Sequence, residues 1–545
     1  MEKSPSSNSL GICRRLARRS VQLYYGKIEV TGAEKVPQTE PLLICANHAN
    51  SLLDPVLVGV AVGRPVRFMA KAPLFDAPVL GPLMRALGMI PAFRGQDDQK
   101  QVRRNLESLD AGAKVLAEGD AMGIFPEGKS HDLQTVEMIR SGAARMALQA
   151  VEDGAKGLKV LPIGINYEDK ERFRSAVWIR VGQPIDVSAC LTENNNEERK
   201  ARRDLTERLE QGLKDVVIHL DDAAWQPFLE DLEVLVPRDS KAKQETIYPL
   251  RERKWLADAM NHFQKNGASQ AAEIATAIVD YRKDVQAAGV DVHSPVLQSS
   301  GWRMVLTLAW QSLWMLLLFL PALVGTLFHV VPFTVVRFIA GKLQPPGRPT
   351  VSMYRLFVGL PTYLLWYLAV GWWLFFDFQA TKWFAWVCLG TLPFLGLLAL
   401  GYWRATRDTA GLWWHQFQFL FHRDQLNALR RQRDELSQRL ARLGDEYSQI
   451  TPRPESPPKA GWGERLRPLV GPAVILLATL AFGWYVPRLF FDESLMAREA
   501  GFDLTTLSEK KLHAEMERDE NSLHAIIQGL DKLEIEAHQL QSEFV

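Results

Sequence analysis

Cysteine is scarce. Only four occur in 545 residues, Cys13, Cys45, Cys190 and Cys388, and no two are close in sequence. A disulfide scaffold and a four-cysteine zinc motif are thereby excluded, and a reducing compartment suits the soluble part of the chain. Charge of one sign is also lacking. The 64 basic and 63 acidic side chains nearly cancel, which removes a simple polyanion binder, and no nucleic-acid partner is expected. The 11 histidines include no His-Glu-x-x-His pair, so no metal site is expected. A Gly-x-Ser-x-Gly nucleophile elbow is missing too. The opening MEKSPSSNSLGICRRLARRS holds no apolar core of signal-peptide length, so no secretory signal is expected there.

What is present is unevenly spread. Hydrophobic residues make up 47% and charged residues 23%, which excludes wholesale disorder, and the length calls for more than one core. Thirteen of the 16 tryptophans lie beyond position 300, in or beside long apolar runs, and mark a membrane half.

Residues 1–26 place Arg14, Arg15, Arg18 and Arg19 among Leu10, Ile12, Leu16, Val21 and Leu23. That pattern suits either a basic amphipathic helix on an anionic bilayer or a solvated N-terminal helix. From 27 to 190, short apolar strands alternate with amphipathic helices, predicting an α/β domain with a sheet flanked by helices. The expected strands are 42–46, 66–70, 122–125, 159–166 and 177–181. The expected helices are one carrying Val102, Leu106, Leu109, Ala113 and Leu116, and a second over 135–152. Residues 191–303 are polar and helical in pattern, a linker or accessory region without recognisable chemistry.

Residues 304–402 read as a multi-span α-helical membrane region. The run 304–340 exceeds the roughly 20 residues of one span, and Pro321 and Pro332 interrupt it. A hairpin bent there is expected, followed by spans at 356–376 and 383–402. Residues 403–470 form a basic helical loop, with twelve Lys and Arg between 404 and 467, expected on the cytoplasmic side. A further span is expected over 471–490. The tail 491–545 carries thirteen acidic and five basic residues and can cross more easily. Its heptad pattern (Met516, Leu523, Leu530; Ile526, Leu533, Leu540) suits intramolecular packing or a homo-oligomer equally. The whole reads as an integral membrane protein with its α/β domain on the cytoplasmic face, in a bacterial inner membrane or, for a eukaryote, the endoplasmic reticulum.

The chemistry concentrates in Asn47-His48-Ala49-Asn50-Ser51-Leu52-Leu53-Asp54-Pro55, which follows a strand and opens a helix. His48 can serve as a general base, with Asp54 orienting the imidazole and stabilising the imidazolium. Six steps of about 100° leave the two about 120° apart on one helix, so His48 must sit in the turn and reach back. On this segment alone, Asp54 as a helix cap and His48 as a loop histidine is the favoured reading. Three later segments bear on the choice: Gly88 to Arg94, Phe125-Pro126-Glu127-Gly128-Lys129-Ser130-His131, and the strand containing Pro162. The Arg94 guanidinium suits a phosphate through bidentate hydrogen bonds.

In this order the four segments resemble the blocks of the PlsC-type glycerolipid acyltransferase family, over about 25–190. The five residues between His48 and Asp54, one more than is common there, resemble the fungal-type glycerol-3-phosphate/dihydroxyacetone-phosphate branch. So do the Ser130-His131-Asp132 sequence and the trailing apolar segments, whereas Lys129 stands where that branch often has glycine. The resemblance implies an α/β acyltransferase domain with His48 and Asp54 catalytic. It implies that Asn47, Gly88, Arg94, Phe125, Pro126, Glu127, Gly128, Ser130 and Pro162 bind substrate, with Arg94, Glu127 and Gly128 on the acceptor and Pro162 shaping the acyl-thioester side. It further implies an acyl thioester (acyl-CoA or acyl-ACP) as co-substrate with no cofactor, a glycerol-phosphate acceptor acylated at sn-1, and membrane lipid as surroundings. Two rivals remain: acylation of lysophosphatidate to phosphatidate, and a membrane lipid-binding scaffold with an inactive domain.

Overall fold

Leu42-Leu43-Ile44-Cys45-Ala46 is an unbroken apolar run, and all five residues are buried in the middle of a sheet. The computed structural model describes residues 7–50, 52–76, 80–93, 99–128, 134–237, 247–298, 302–343, 351–377, 382–419 and 423–455. The first part of the chain runs α1 (Ser7–Tyr24), β1 (Lys27–Thr31), β2 (Leu42–Ala46), α2 (Leu53–Val62), β3 (Arg67–Lys71), α3 (Leu80–Ala86), β4 (Ile90–Ala92), α4 (Gln99–Ala117) and β5 (Ala121–Ile124). It continues through α5 (Gly142–Glu152), β6 (Lys159–Tyr167), β7 (Ala176–Val181), β8 (Ile185–Asp186), α6 (Val187–Glu193) and α7 (Glu198–Val216).

The strands pair in the order β1-β7-β6-β2-β5-β3-β4, with β8 also on β6. All pairs are parallel except β6 with β7 and β6 with β8. Side-chain alternation divides the core in two. Leu42, Ile44, Ala46, Leu161, Ile163 and Ile165 pack against α2 and the end of α1, where Val21 and Tyr24 are buried. Leu43, Cys45, Met122 and Val160 pack against α4, α5 and α7. The alternating α/β domain is therefore present, and α1 is anchored through its C-terminal turns while Arg14, Arg15, Arg18 and Arg19 stay exposed.

Three expectations need correction. The helix expected over 135–152 begins only at Gly142, because the preceding backbone is bonded elsewhere. Val136 N–H donates to His219 Nδ1 at 2.9 Å, and Arg140 N–H donates to the Pro126 carbonyl at 3.3 Å. The α/β domain does not stop at 190, since Leu205, Leu209, Leu213 and Val216 of α7 complete the core on one sheet face. The third correction concerns the hairpin at 304–340, described below.

The rest of the described chain comprises α8 (Gln226–Leu235), α9 (Tyr248–Asn266), α10 (Ala268–Ala287), α11 (Pro295–Gln298), α12 (Trp302–Leu343), α13 (Val351–Trp372), α14 (Lys382–Phe419) and α15 (Arg423–Ile450). Leu426, Leu429, Leu436, Leu440 and Tyr447 of α15 join Leu229, Trp255, Leu256, Tyr281 and Val285 in one buried cluster. The Arg-rich segment is thus docked on the accessory helices through its apolar stripe.

Among the described residues, three helical segments are long and apolar enough to cross a membrane: Leu308–Leu343, Val351–Phe376 and Ala385–Gly411. The expected bend at Pro321 to Pro332 does not occur, for α12 is one 42-residue helix with both prolines inside it. Each proline forfeits one backbone hydrogen bond, a loss tolerated in apolar helices that neighbours brace. Here α14 runs antiparallel along α12. Gly325 lies so close to the Leu395 carbonyl that a Cβ would sit 2.2 Å from it, and Trp403 Nε1 donates to Thr326 Oγ1 at 2.8 Å. The span expected over 471–490 and the tail 491–545 lie outside the described residues.

Candidate active site

The site begins where β2 ends. Asn47 and His48 leave the sheet as irregular backbone, and the chain re-enters helix at Leu53, which places Asp54 in the first turn of α2. His48 Nδ1 lies 2.8 Å from Asp54 Oδ2, so the turn reaches back as the six-residue offset requires. No side-chain cap hydrogen bond is made at this helix start. The Asp54 carboxylate instead accepts the Asn50 N–H on Oδ2 at 2.7 Å and the Tyr167 hydroxyl on Oδ1. Asp54 is fully buried. With Nδ1–H donating to the carboxylate, Nε2 keeps its lone pair and can accept a proton.

Phe125 comes from the opposite side. It follows β5, and its ring stacks on the His48 imidazole with centroids 4.1 Å apart and planes 17° from parallel. Pro126 and Glu127 behind it are buried, and Gly128 closes the turn at φ +75°, with its N–H donating to the Phe125 carbonyl at 3.1 Å. A left-handed residue there favours glycine. Phe125 to Gly128 and the His48–Asp54 pair are thus brought together at the same end of neighbouring strands, β5 and β2.

Other expected site residues are not all drawn in. Gly88 lies between α3 and β4, two strands beyond β5, at φ +69° and beside the Arg67 side chain. Pro162 pairs with Cys45 inside the sheet and faces α7, where its ring lies against Gly182 and Gly212. That is the face away from Asp54. Arg94 and Ser130, with Lys129, His131 and Asp132, lie outside the described residues. Cys45, three residues before His48, is fully buried, and burial pushes its thiol well above the ordinary range, so it is no ready nucleophile.

Residues that the motif reading missed complete the site. Tyr167 ends β6 and donates to Asp54. Asn50 Nδ2 donates to the Tyr25 hydroxyl at 2.6 Å, and Lys170 Nζ donates to the Ala49 carbonyl at 3.0 Å. Burial raises the Tyr167 phenol well above its usual range, and the nearby Asp54 charge raises it further. The sequence signal was slight: Tyr167 closes a strand on the same sheet edge as His48, and Asn50 belongs to the His-Ala-Asn sequence already singled out.

The family model described as Acyltransferase matches residues 27–166. An uncharacterized acyltransferase of Schizosaccharomyces pombe is 21% identical over 439 residues, covering 62% of this chain and 64% of its own. Glycerol-3-phosphate O-acyltransferase 1 of Saccharomyces cerevisiae is 32% identical over 287 residues, covering 36% of this chain and 38% of its own. A 1-acyl-sn-glycerol-3-phosphate acyltransferase of Borreliella burgdorferi is 29% identical over 168 residues, covering 30% of this chain and 62% of its own. The chain spans less than two thirds of the length of each of these relatives.

Proposed function

We propose that this chain, which carries an acyltransferase-family domain at residues 27–166, is a membrane O-acyltransferase. In this reading it moves a fatty acyl group from acyl-CoA or acyl-ACP to the sn-1 hydroxyl of glycerol 3-phosphate or dihydroxyacetone phosphate. The observation that carries the reading is the 2.8 Å contact between His48 Nδ1 and a buried Asp54, which leaves Nε2 as the base. His48 takes the proton of the acceptor hydroxyl as that oxygen attacks the thioester carbonyl. The tetrahedral intermediate then expels the thiolate, which leaves as the thiol after receiving the proton from His48. Asp54 stabilises the imidazolium formed between the two steps. The transfer is direct, with no acyl-enzyme.

Arg94 is assigned to the acceptor phosphate, and Ser130, Glu127 and Gly128 to the acceptor as well, by the likeness of these segments to the family's blocks. For sn-1 acylation, the support is the five-residue gap between His48 and Asp54 and the likeness to the yeast glycerol-3-phosphate O-acyltransferase. The likeness to the Borreliella 1-acyl-sn-glycerol-3-phosphate acyltransferase favours a second reading, in which lysophosphatidate is the acceptor. The three apolar helices support a membrane location, and the catalytic face is assigned to the cytoplasm.

Purified chain supplied with acyl-CoA and each acceptor in turn separates these readings. Lysophosphatidate formed from glycerol 3-phosphate is the expected product, with the higher kcat/KM. Phosphatidate from lysophosphatidate, without any product from glycerol 3-phosphate, would select the second reading. No product from any acceptor with either thioester would leave a lipid-binding scaffold.

A further inference from the structure

We propose that Tyr167 is a positioning residue for the His48–Asp54 pair: its hydroxyl holds the Asp54 carboxylate, and through it the imidazole, in the orientation that proton transfer requires. The proposal rests on the acyl-transfer reading above and extends it to a residue outside the four motif segments.

The geometry is that of a carboxylate held on three sides. Among the described residues, Asp54 accepts from Asn50 N–H and His48 on Oδ2 and from Tyr167 on Oδ1. A fully buried carboxylate needs such donors in place of the water it has lost. Asn50 N–H fixes only one oxygen. The carboxylate plane, and with it the direction of the His48 hydrogen bond, is set by the second contact, on Oδ1. Tyr167 is itself braced. Its ring packs on Tyr25 at 5.6 Å, and the Tyr25 hydroxyl accepts from Asn50 and donates to the Lys170 carbonyl at 3.2 Å. The raised phenol keeps its proton at any working pH, so Tyr167 is always a donor.

The other charged or titratable groups around the pair come from several elements. Tyr24 and Tyr25 close α1, Lys170 and Glu171 follow β6, Glu127 follows the Phe125 that stacks on His48, and Arg355 of α13 donates to the Glu171 carbonyl. Of these, Tyr25 also shares a hydrogen bond with Tyr167 and loses it when the Tyr167 hydroxyl is removed.

Tyr167→Phe keeps the ring and removes the donor. With Oδ1 released, the carboxylate can turn and the imidazole loses its aim, which lowers kcat, while the Asp54 charge no longer shared with Tyr167 favours the imidazolium. We expect kcat to fall about 10- to 100-fold, the range set by losing a hydrogen bond to a charged group. Both KM values should stay unchanged, and the acid limb of kcat/KM should move to higher pH. A second readout needs no substrate: the rate of His48 carbethoxylation against pH, followed by peptide mass spectrometry, should shift upward in step. Should Tyr167→Phe fail to fold, 3-fluorotyrosine at position 167 keeps the shape and strengthens the donor, and both profiles should move to lower pH. Unchanged kcat with an unchanged His48 profile would overturn the proposal. A raised acceptor KM with an intact pH profile would overturn it as well, making Tyr167 an acceptor contact. If the unmodified enzyme transfers no acyl group, the acyl-transfer reading fails, and the carbethoxylation profiles alone decide whether Tyr167 governs His48.

Discussion

Asn47 closes a ring of two hydrogen bonds with the backbone of Ile165. Its Nδ2 donates to the Ile165 carbonyl at 3.1 Å, and its Oδ1 accepts the Ile165 N–H at 2.7 Å. The β2–β6 register ends at Ala46 opposite Ile163, so this side chain continues the ladder one step after the strand has stopped. His48 therefore leaves the sheet from a fixed point. Asn47→Ala should leave two buried backbone groups unpaired, each costing about 1–3 kcal/mol. A lowered melting temperature together with reduced kcat is expected. An unchanged melting temperature would mean the turn is held by other contacts.

His48→Ala should lower turnover by about 10² to 10⁴, the usual contribution of a general base, while the fold survives. Asp54→Asn should also be severely impaired, because the amide no longer enforces the tautomer with Nε2 free. Steady-state rates on folded variants, checked by thermal unfolding, decide this. Near-normal turnover by His48→Ala would remove the mechanism.

Stability should fall on acidification partly through His219. Burial holds its imidazole below the ordinary range near 6.5, despite the opposing pull of Asp221. Its Nδ1 accepts the Val136 N–H, which a protonated ring cannot do. Because the unfolded chain takes up the proton first, the His219 contribution is present above about pH 6.5 and is lost as pH falls below it. Melting temperatures between pH 8 and 5 should drop more steeply for the unmodified protein than for His219→Gln. Parallel curves would assign the acid sensitivity elsewhere.

Membrane topology is constrained by contacts to the soluble domain. Ser352 at the start of α13 donates to the Lys170 carbonyl, and Arg430 of α15 donates to the Val296 carbonyl at 2.8 Å. Since α12 is a single helix, positions near 298 and 352 can share one side of a bilayer with the Ser352 contact intact only if α12 does not cross it. Single cysteines at Lys156→Cys, Gln344→Cys and Asp445→Cys, in a background without the four native cysteines, should label from the same side of sealed vesicles. Labelling of Gln344→Cys solely from the other side would show that α12 crosses once and that the Ser352 contact is broken in the bilayer.

Local pattern was enough for the elements that periodicity and apolar runs specify. Strand β2 was legible to the residue, and β6 and β7 to within one residue, because β-branched and apolar runs between turn residues have few alternatives. The pairing of His48 with Asp54 was legible only through the resemblance of the four segments to the acyltransferase blocks; helix geometry added that a paired His48 must sit in the turn. The start of α5 was not. Backbone groups between 134 and 141 are claimed by His219, Leu220 and Pro126, partners that no local window contains. The continuity of α12 was equally hidden: two prolines signal a break, and the helix runs through them with α14 packed close at Gly325.

By itself, the sequence determined that this chain has an α/β domain with His48 in a strand-to-helix turn, followed by apolar helices. Those are consequences of short-range sterics and of where apolar side chains recur. Tertiary structure alone decided that Tyr167, 113 positions beyond Asp54, completes the carboxylate's hydrogen bonds. It also decided that Pro162 faces α7 rather than the pair, and that α15 covers the accessory helices. These depend on which strand ends share a sheet edge and which face each side chain takes. Strand register sets both, and register is fixed only when all the strands pair at once.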